Sequence, residues 1–408
     1  MHRFLTRFRS PFVWVPLLCG LVYCIFIRPD QANYFRELAH AFLDGKLYLE
    51  HPSQTHDLVF FRNRYYLYWP PVPALVWLPL VALLGDLPPD GLVGAVAGIL
   101  NVALVMKLLR VVSERYGLAL SAKTIAWAGI FWGLGTAQFH LAPRGNTWYF
   151  AQTIAQTFLL GGLLLAFRNR SWFWSGVLFA LAVYCRNNLV FAGLFFALVY
   201  LAQNRPLRWA QFFRNGGLFI LPFLVLSGLN LLYNHARFGN WWENGIQYHL
   251  MDPYFYHNFK TYGYFSTHYL SYNFWVEVLH PPTLIPEVPF IRPEPEGFGF
   301  LWASPVFFLL FPALATWIGL LISRKPHLAF KLITWACWIT ALPIAMAIFM
   351  IMGTGWQQHG ARYTFDFHIF LVLFLAFLWP QLRRVRWMPA LGVVLVVLSI
   401  LVQVTGIP

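Results

Sequence analysis

Met388-Pro389-Ala390-Leu391-Gly392-Val393-Val394-Leu395-Val396-Val397-Leu398-Ser399-Ile400-Leu401-Val402-Gln403-Val404-Thr405 carries no charged side chain and follows directly on Arg383, Arg384 and Arg386. As a helix it would cover about 27 Å, close to the roughly 30 Å of bilayer hydrocarbon. A run of that kind with cations at one flank reads as a transmembrane helix whose basic end stays in the cytoplasm. Working outward, comparable apolar runs lie at 11–27, 91–109, 124–141, 148–167, 172–185, 189–203, 215–234, 302–322, 329–352 and 367–382. The sequence therefore predicts an all-α polytopic membrane protein of about eleven spans. Composition agrees: 408 residues are 59% hydrophobic and 11% charged, whereas soluble domains carry about 25% charged residues. Too few polar groups remain to cover a water-facing surface, which excludes a soluble enzyme, a DNA-binding domain and a disordered chain. The 19% aromatic share suits rings at both membrane interfaces.

The formal net charge of +14 raises nucleic acid as a partner until its distribution is read. With the N-terminus in the cytoplasm, inner loops hold 18 of the 29 basic residues and only one acid, Glu114. The outer side holds the other 11 basic residues and 14 acids. The excess is thus a matter of topology, as the positive-inside rule requires, and no nucleic acid is needed to explain it. The run 72–85 opens with Pro70, Pro71 and Pro73 and is short; counting it as a span would reverse every later loop and put most cations outside. It is expected to be interfacial or re-entrant.

One integral-membrane domain, 1–408, follows, with two large outer segments: 28–90, and a second outer loop at 236–301. In the first, Tyr34, Phe35, Leu38 and Phe42 fall on one helical stripe while Arg36, Glu37, His40 and Asp44 fall elsewhere, which describes an amphipathic interfacial helix stopped at Gly45. A second interfacial helix ends at Gly85. Cys19, Cys24, Cys185 and Cys337 lie within spans and offer neither a disulfide framework nor zinc spacing. No small-residue cleavage site follows the first span, which is expected to remain as an anchor. No inverted repeat marks a secondary transporter, and the spans contain few of the acids that ion-coupled carriers use.

Asp30 with Tyr34 four residues on, the helix to Gly45, and Tyr68-Trp69-Pro70-Pro71 together resemble the first outer loop of the C superfamily of lipid-linked-sugar glycosyltransferases. The pattern is similar to the protein O-mannosyltransferase group (glycosyltransferase family 39) and the lipid A aminoarabinose transferases. Tyr233-Asn234-His235-Ala236-Arg237-Phe238-Gly239 and Gly360-Ala361-Arg362-Tyr363-Thr364-Phe365-Asp366 resemble segments of bacterial members. Gln31 stands where those proteins carry a Glu, and Trp69 where a Lys often precedes the prolines. The resemblance implies the glycosyltransferase C fold and a bacterial inner-membrane protein of the cell envelope, its active site facing the periplasm or exterior. It also implies transfer of a sugar from a polyprenyl-phosphate donor to a hydroxyl of a glycan, lipid or protein acceptor, with Asp30 catalytic. A non-enzymatic polyprenyl-lipid binding or transport protein on the same scaffold is the alternative.

The chemistry is consistent with one acid. Polyprenyl phosphate is already a good leaving group, so a single carboxylate acting as general base on the acceptor suffices and gives inversion, whereas a glycosidase needs two flanking carboxyls. The donor phosphate must be met by fixed cations. Each candidate also has a plainer reading. Asp30 is a base or the N-cap of the helix behind it; Tyr34 stands beside it in the motif; Glu37 is a second site acid or a solvated face. Asp57, beside His56 and near His51, is a site acid, with a divalent metal as an open alternative, or an ordinary loop residue. Arg186 binds phosphate or caps carbonyls. Arg237 serves the site or snorkels to headgroups. Arg362 binds phosphate or pairs with Asp366 four residues on. The aromatic run from Tyr248 to Tyr272 lines an acceptor groove or packs on lipid.

Overall fold

The computed structural model describes residues 10–28, 32–323 and 326–406. The chain is nearly all helical. In order it forms α1 (Pro11–Ile25), α2 (Tyr34–Leu43), α3 (Val72–Leu84), α4 (Asp90–Tyr116), α5 (Ala122–Leu134), α6 (Gln138–Arg144), α7 (Thr147–Arg168), α8 (Trp172–Val183), α9 (Ala192–Gln203) and α10 (Trp209–Phe238). There follow α11 (Pro253–Tyr262), α12 (Leu270–Phe274), α13 (Phe300–Ala303), α14 (Leu310–Ile322), α15 (Leu328–Phe349), α16 (Phe365–Leu382) and α17 (Met388–Val404). Short 3₁₀ turns at Asn187–Phe191, Pro305–Leu309 and Arg362–Thr364 lead into α9, α14 and α16.

Among the described residues six helices are long and apolar enough to cross a membrane: Asp90–Tyr116, Thr147–Arg168, Trp209–Phe238, Pro305–Ile322, Leu328–Phe349 and Arg362–Leu382. Five shorter apolar helices accompany them, at Pro11–Ile25, Val72–Leu84, Trp172–Val183, Asn187–Gln203 and Met388–Val404. A membrane protein follows from α10 in particular, of whose most apolar stretch only 11% is buried. Leu218, Leu221, Leu224, Val225, Leu229 and Leu232 stand exposed along it, a surface that water would not tolerate and lipid would.

The run expected as one span at 124–141 is instead two helices. Gly135 caps α5, and the Thr136 hydroxyl donates to the Trp132 carbonyl (2.6 Å) while accepting from the Gln138 amide (3.3 Å). That local bonding competes with the helix ladder and turns the chain. The short helix α6 then packs on a glycine face of α4. A Cβ at Gly91, Gly94 or Gly98 would lie 2.4–2.5 Å from Pro143 O, Ala142 O or the Ala142 methyl, so only glycine lets the two backbones approach. Gly145, left-handed at φ +64, closes α6 and leaves no room for a Cβ against the Asp90 carbonyl. This packing sets Arg144 at one end of the bundle.

A helix forms at each of the two places in the segment 32–90 where an interfacial helix is expected. Tyr34, Phe35 and Leu38 are buried along α2, which ends ahead of Gly45 (φ +70); α3 ends at Gly85 (φ +58). At thirteen residues, α3 is about 20 Å long. The cap of α2 is Asn33, whose side chain accepts from the Phe35 and Arg36 amides at 3.1 and 3.2 Å, so the reading in which Asp30 caps this helix is overturned. Asp30 and Gln31 themselves lie outside the described residues. A small antiparallel hairpin, Val59–Phe61 with Arg64–Tyr66, was not expected from the sequence; Arg62 and Asn63 take positive φ at its turn, the geometry that two-residue hairpins require.

Candidate functional site

Three helix boundaries bring arginines to one place. Arg144 ends α6, Arg186 follows α8, and Arg362 opens the turn into α16. All three line a cavity of about 400 Å³ together with Asp57, His56, His249, Tyr68, Trp148, Tyr149, Tyr264 and Tyr363. Helix α7 supplies Trp148 and Tyr149 from its first turn, which the Asn146 side chain caps.

The arginines are held before any ligand arrives. Arg362 is 5% exposed; its Nη2 donates to the Gly355 carbonyl at 2.6 Å and its Nη1 to Gln152 Oε1 at 3.3 Å. Its cation lies 5.2 and 4.6 Å from the ring centres of Tyr149 and Tyr363. Arg144 donates to the Tyr149 hydroxyl at 3.0 Å. Arg186 makes two bonds to Asp366 Oδ2, at 3.0 and 2.8 Å, and Asn188 and Gln152 complete the shell of that fully buried carboxylate. The expected i, i+4 pair of Arg362 with Asp366 is therefore corrected: Asp366 belongs to Arg186. The capping role for Arg186 fails for the same reason.

Among the described residues Arg186 alone of the three has a carboxylate within ion-pair distance, so Arg144 and Arg362 line the cavity without a direct ion-pair partner and outnumber Asp57. Glu277, fully buried on a π turn at Trp275–Leu279, makes no ion pair with Arg362 among the described residues. Burial pushes its carboxyl well above the ordinary range, against the pull of Arg362. A wall of aromatic rings lowers the local dielectric, so this excess of positive charge acts strongly on an anion in the cavity.

Asp57 is the cavity's carboxylate. Its Oδ2 accepts from the Trp148 indole at 2.9 Å and its Oδ1 from His249 Nε2 at 3.1 Å, and His56 Nε2 stands 3.6 Å away. Burial raises its pKa, but the bond from His249, the nearby imidazoles and the indole outweigh burial and hold it below the usual range, ionised at neutral pH. Both oxygens are thus occupied by N–H donors. No three His, Cys, Asp or Glu among the described residues could hold a metal ion, so these residues do not fit the divalent metal left open above.

The remaining candidates lie elsewhere. Tyr34 does not line the cavity; its hydroxyl donates to the His56 carbonyl at 2.6 Å and its ring meets Trp148 edge-on, so it props two residues that do. Glu37 accepts from Ser53 Oγ at 2.6 Å and lines a neighbouring recess with Arg36, Gln54 and Trp148; burial raises its pKa. Arg237 neither snorkels nor reaches the cavity. It is 6% exposed, bonds the Leu67 carbonyl and Asn234 Oδ1, and lies over the Tyr233 and Phe238 rings, tying α10 to the segment between α2 and α3.

The sequence reading missed Arg144, His249, Trp148 and Tyr149. The Pro143-Arg144-Gly145-Asn146 stretch was a signal, a cation between a helix stop and a helix cap. His249 had none, since only folding brings it across 192 positions to Asp57. The aromatic run from Tyr248 onward contributes Phe255 and Tyr264 to the cavity wall, while Tyr254, Tyr256 and Tyr272 are exposed. No family model, curated protein or solved structure matches the chain.

Proposed function

We propose that this chain is a membrane-embedded glycosyltransferase. It takes a sugar from a polyprenyl-phosphate donor and passes it, with inversion, to an acceptor hydroxyl on the non-cytoplasmic side, through a bundle of about eleven spans. The observation that carries this reading is the convergence of Arg144, Arg186 and Arg362 in one aromatic-walled cavity with a single ionised carboxylate. Fixed guanidinium groups suit a phosphate, whose charge grows as the glycosidic bond breaks. Stacked rings suit a sugar face.

Asp30 is the proposed general base. Two residues on, the Ala32 carbonyl accepts from the amide and hydroxyl of Thr147, each at 3.2 Å, and Thr147 lines the cavity. Asp57 is less suited to take a proton, because Trp148 and His249 occupy its oxygens and its pKa is depressed. Its role is to orient His249 and Trp148 and to balance part of the positive charge. The base removes the acceptor's proton as its oxygen forms the new bond to the anomeric carbon. In the same step the opposite bond, from the anomeric carbon to the phosphate oxygen, breaks, its electron pair leaving with the lipid phosphate as an anion held by the arginines.

Purified protein supplied with a labelled polyprenyl-phosphate sugar and candidate acceptors tests the proposal. Consumption of the donor supports transfer; donor bound but never consumed supports the non-enzymatic lipid-binding alternative.

A further inference from the structure

A second concave surface lies at the opposite end of the bundle and belongs to no part of the proposed reaction. The helix Arg362–Leu382 opens on the cavity with Arg362 and is followed by Arg383; its 21 residues place the two about 30 Å apart along the axis. Near Arg383, α5, α16 and α17 leave a groove of about 490 Å³ between them. Its lining is overwhelmingly apolar, with Trp127, Phe131, Val372, Ala376, Trp379 and Val393 prominent. From Lys123 to Phe131 along α5 the groove runs about 12 Å into the bundle, most of one leaflet's half of the roughly 30 Å hydrocarbon.

The groove is charged at one end only. Lys123 and Arg383 both line it and are exposed. Arg383 Nη1 is fixed on the Ala119 carbonyl at 3.0 Å. Neither residue pairs with a carboxylate among the described residues, and Glu114, the acid nearest in sequence, is already bound by Arg110 at 2.8 Å. Arg384 and Arg386 follow within three residues and add to the same field. An apolar slot in a membrane protein with two free cations at its interfacial mouth matches an amphiphile with an anionic head and a hydrocarbon tail.

We infer that the groove between α5, α16 and α17 is a binding site for an anionic glycerophospholipid of the leaflet opposite the arginine cavity, its acyl chain along Trp127, Val372 and Val393 and its phosphate on Lys123 and Arg383. A second copy of the chain fits less well. A two-fold pairing within one membrane would bring the basic clusters of both copies to the same side, against each other. The inference needs only the membrane placement and stands apart from the proposed transfer reaction.

The test uses the full chain in neutral detergent, with phosphatidylglycerol and phosphatidylcholine as probes, read by native mass spectrometry and by saturable thermal stabilisation. One phosphatidylglycerol is expected to remain per chain and to stabilise it, with phosphatidylcholine far weaker. The double variant Lys123→Gln/Arg383→Gln should weaken phosphatidylglycerol about thirtyfold, about fivefold per cation, without changing the lipid-free melting temperature. Val393→Trp should block the slot with both cations in place; if it does not fold, the charge variant decides alone. Equal retention of phosphatidylcholine overturns the inference. So do undiminished phosphatidylglycerol binding by the double variant, displacement of the lipid by polyprenyl phosphate, or a dimer that buries the groove.

Discussion

Removing Asp366 should disable the cavity without touching any of its lining. Asp366 is fully buried and does not line the cavity, yet it holds Arg186 by two bonds at 2.8 and 3.0 Å and is itself bonded by Asn188 and Gln152. Breaking a buried pair by deleting one partner costs about 3–5 kcal/mol, because the other charge is left unpaired. The two ends of this pair differ, however. Arg186→Gln leaves the fully buried Asp366 carboxyl without its guanidinium partner, and should fall in that range. Asp366→Asn leaves a guanidinium that is 17% exposed and faces the cavity, where water or phosphate can meet it, and should cost less. A double-mutant cycle, read as thermal unfolding in detergent, is expected to give a coupling of about 1–3 kcal/mol, with Arg186→Gln the worse single variant. Donor affinity should fall in Asp366→Asn although the cavity keeps all three arginines. Additivity within about 0.5 kcal/mol, together with unchanged donor affinity in Asp366→Asn, would refute the positioning role.

Arg362→Lys keeps the charge but loses the planar fork set between Tyr149 and Tyr363; titration with donor lipid should show weaker binding than wild type and tighter binding than Arg362→Ala. Burial lowers His359 to about 4 although its Nε2 bonds the Val402 carbonyl at 2.8 Å. The unfolded chain binds this proton near pH 6.5, so the contribution of His359 to stability should be constant above that pH and fall between 6.5 and 4, by up to about 3 kcal/mol. A melting-temperature profile of His359→Gln should lose that contribution and fall less steeply than wild type over the same interval. In a cysteine-free background, cysteines at Asn258 and Gln357 should react with an impermeant thiol reagent in intact cells and cysteines at Ser113 and Asn169 should not. The reverse pattern would place the cavity in the cytoplasm.

Helix placement was legible because apolar run length and flanking charge are properties of the chain itself. The helices Tyr34–Leu43 and Val72–Leu84 were equally plain, since Gly45 and Gly85, both at positive φ, mark their stops. The break at Gly135-Thr136 was not, because a single glycine and threonine in an apolar run are compatible with a continuous helix until the glycine face of α4 is seen to take α6. At the site, a loop acid beside His56 was enough to single out Asp57, and a cation at the end of an apolar run to single out Arg186 and Arg362. Pairings were beyond reach. Four-residue spacing favoured Arg362 with Asp366, but the fold offers Asp366 a partner 180 positions away. Arg237 misled because a cation at the end of a span looks the same whether it meets headgroups or a buried carbonyl.

The proposal rests most directly on Asp30, and one measurement addresses it: transfer of label from a polyprenyl-phosphate sugar by Asp30→Asn beside the wild-type protein. Asn cannot take the proton at working pH, and since Asn33 caps α2, the substitution removes no helix cap. Transfer should fall at least about a hundredfold, with donor binding and melting temperature close to wild type. Near-normal turnover by Asp30→Asn would contradict the assignment and leave Asp57, the carboxylate between His249 and Trp148, as the acid to test.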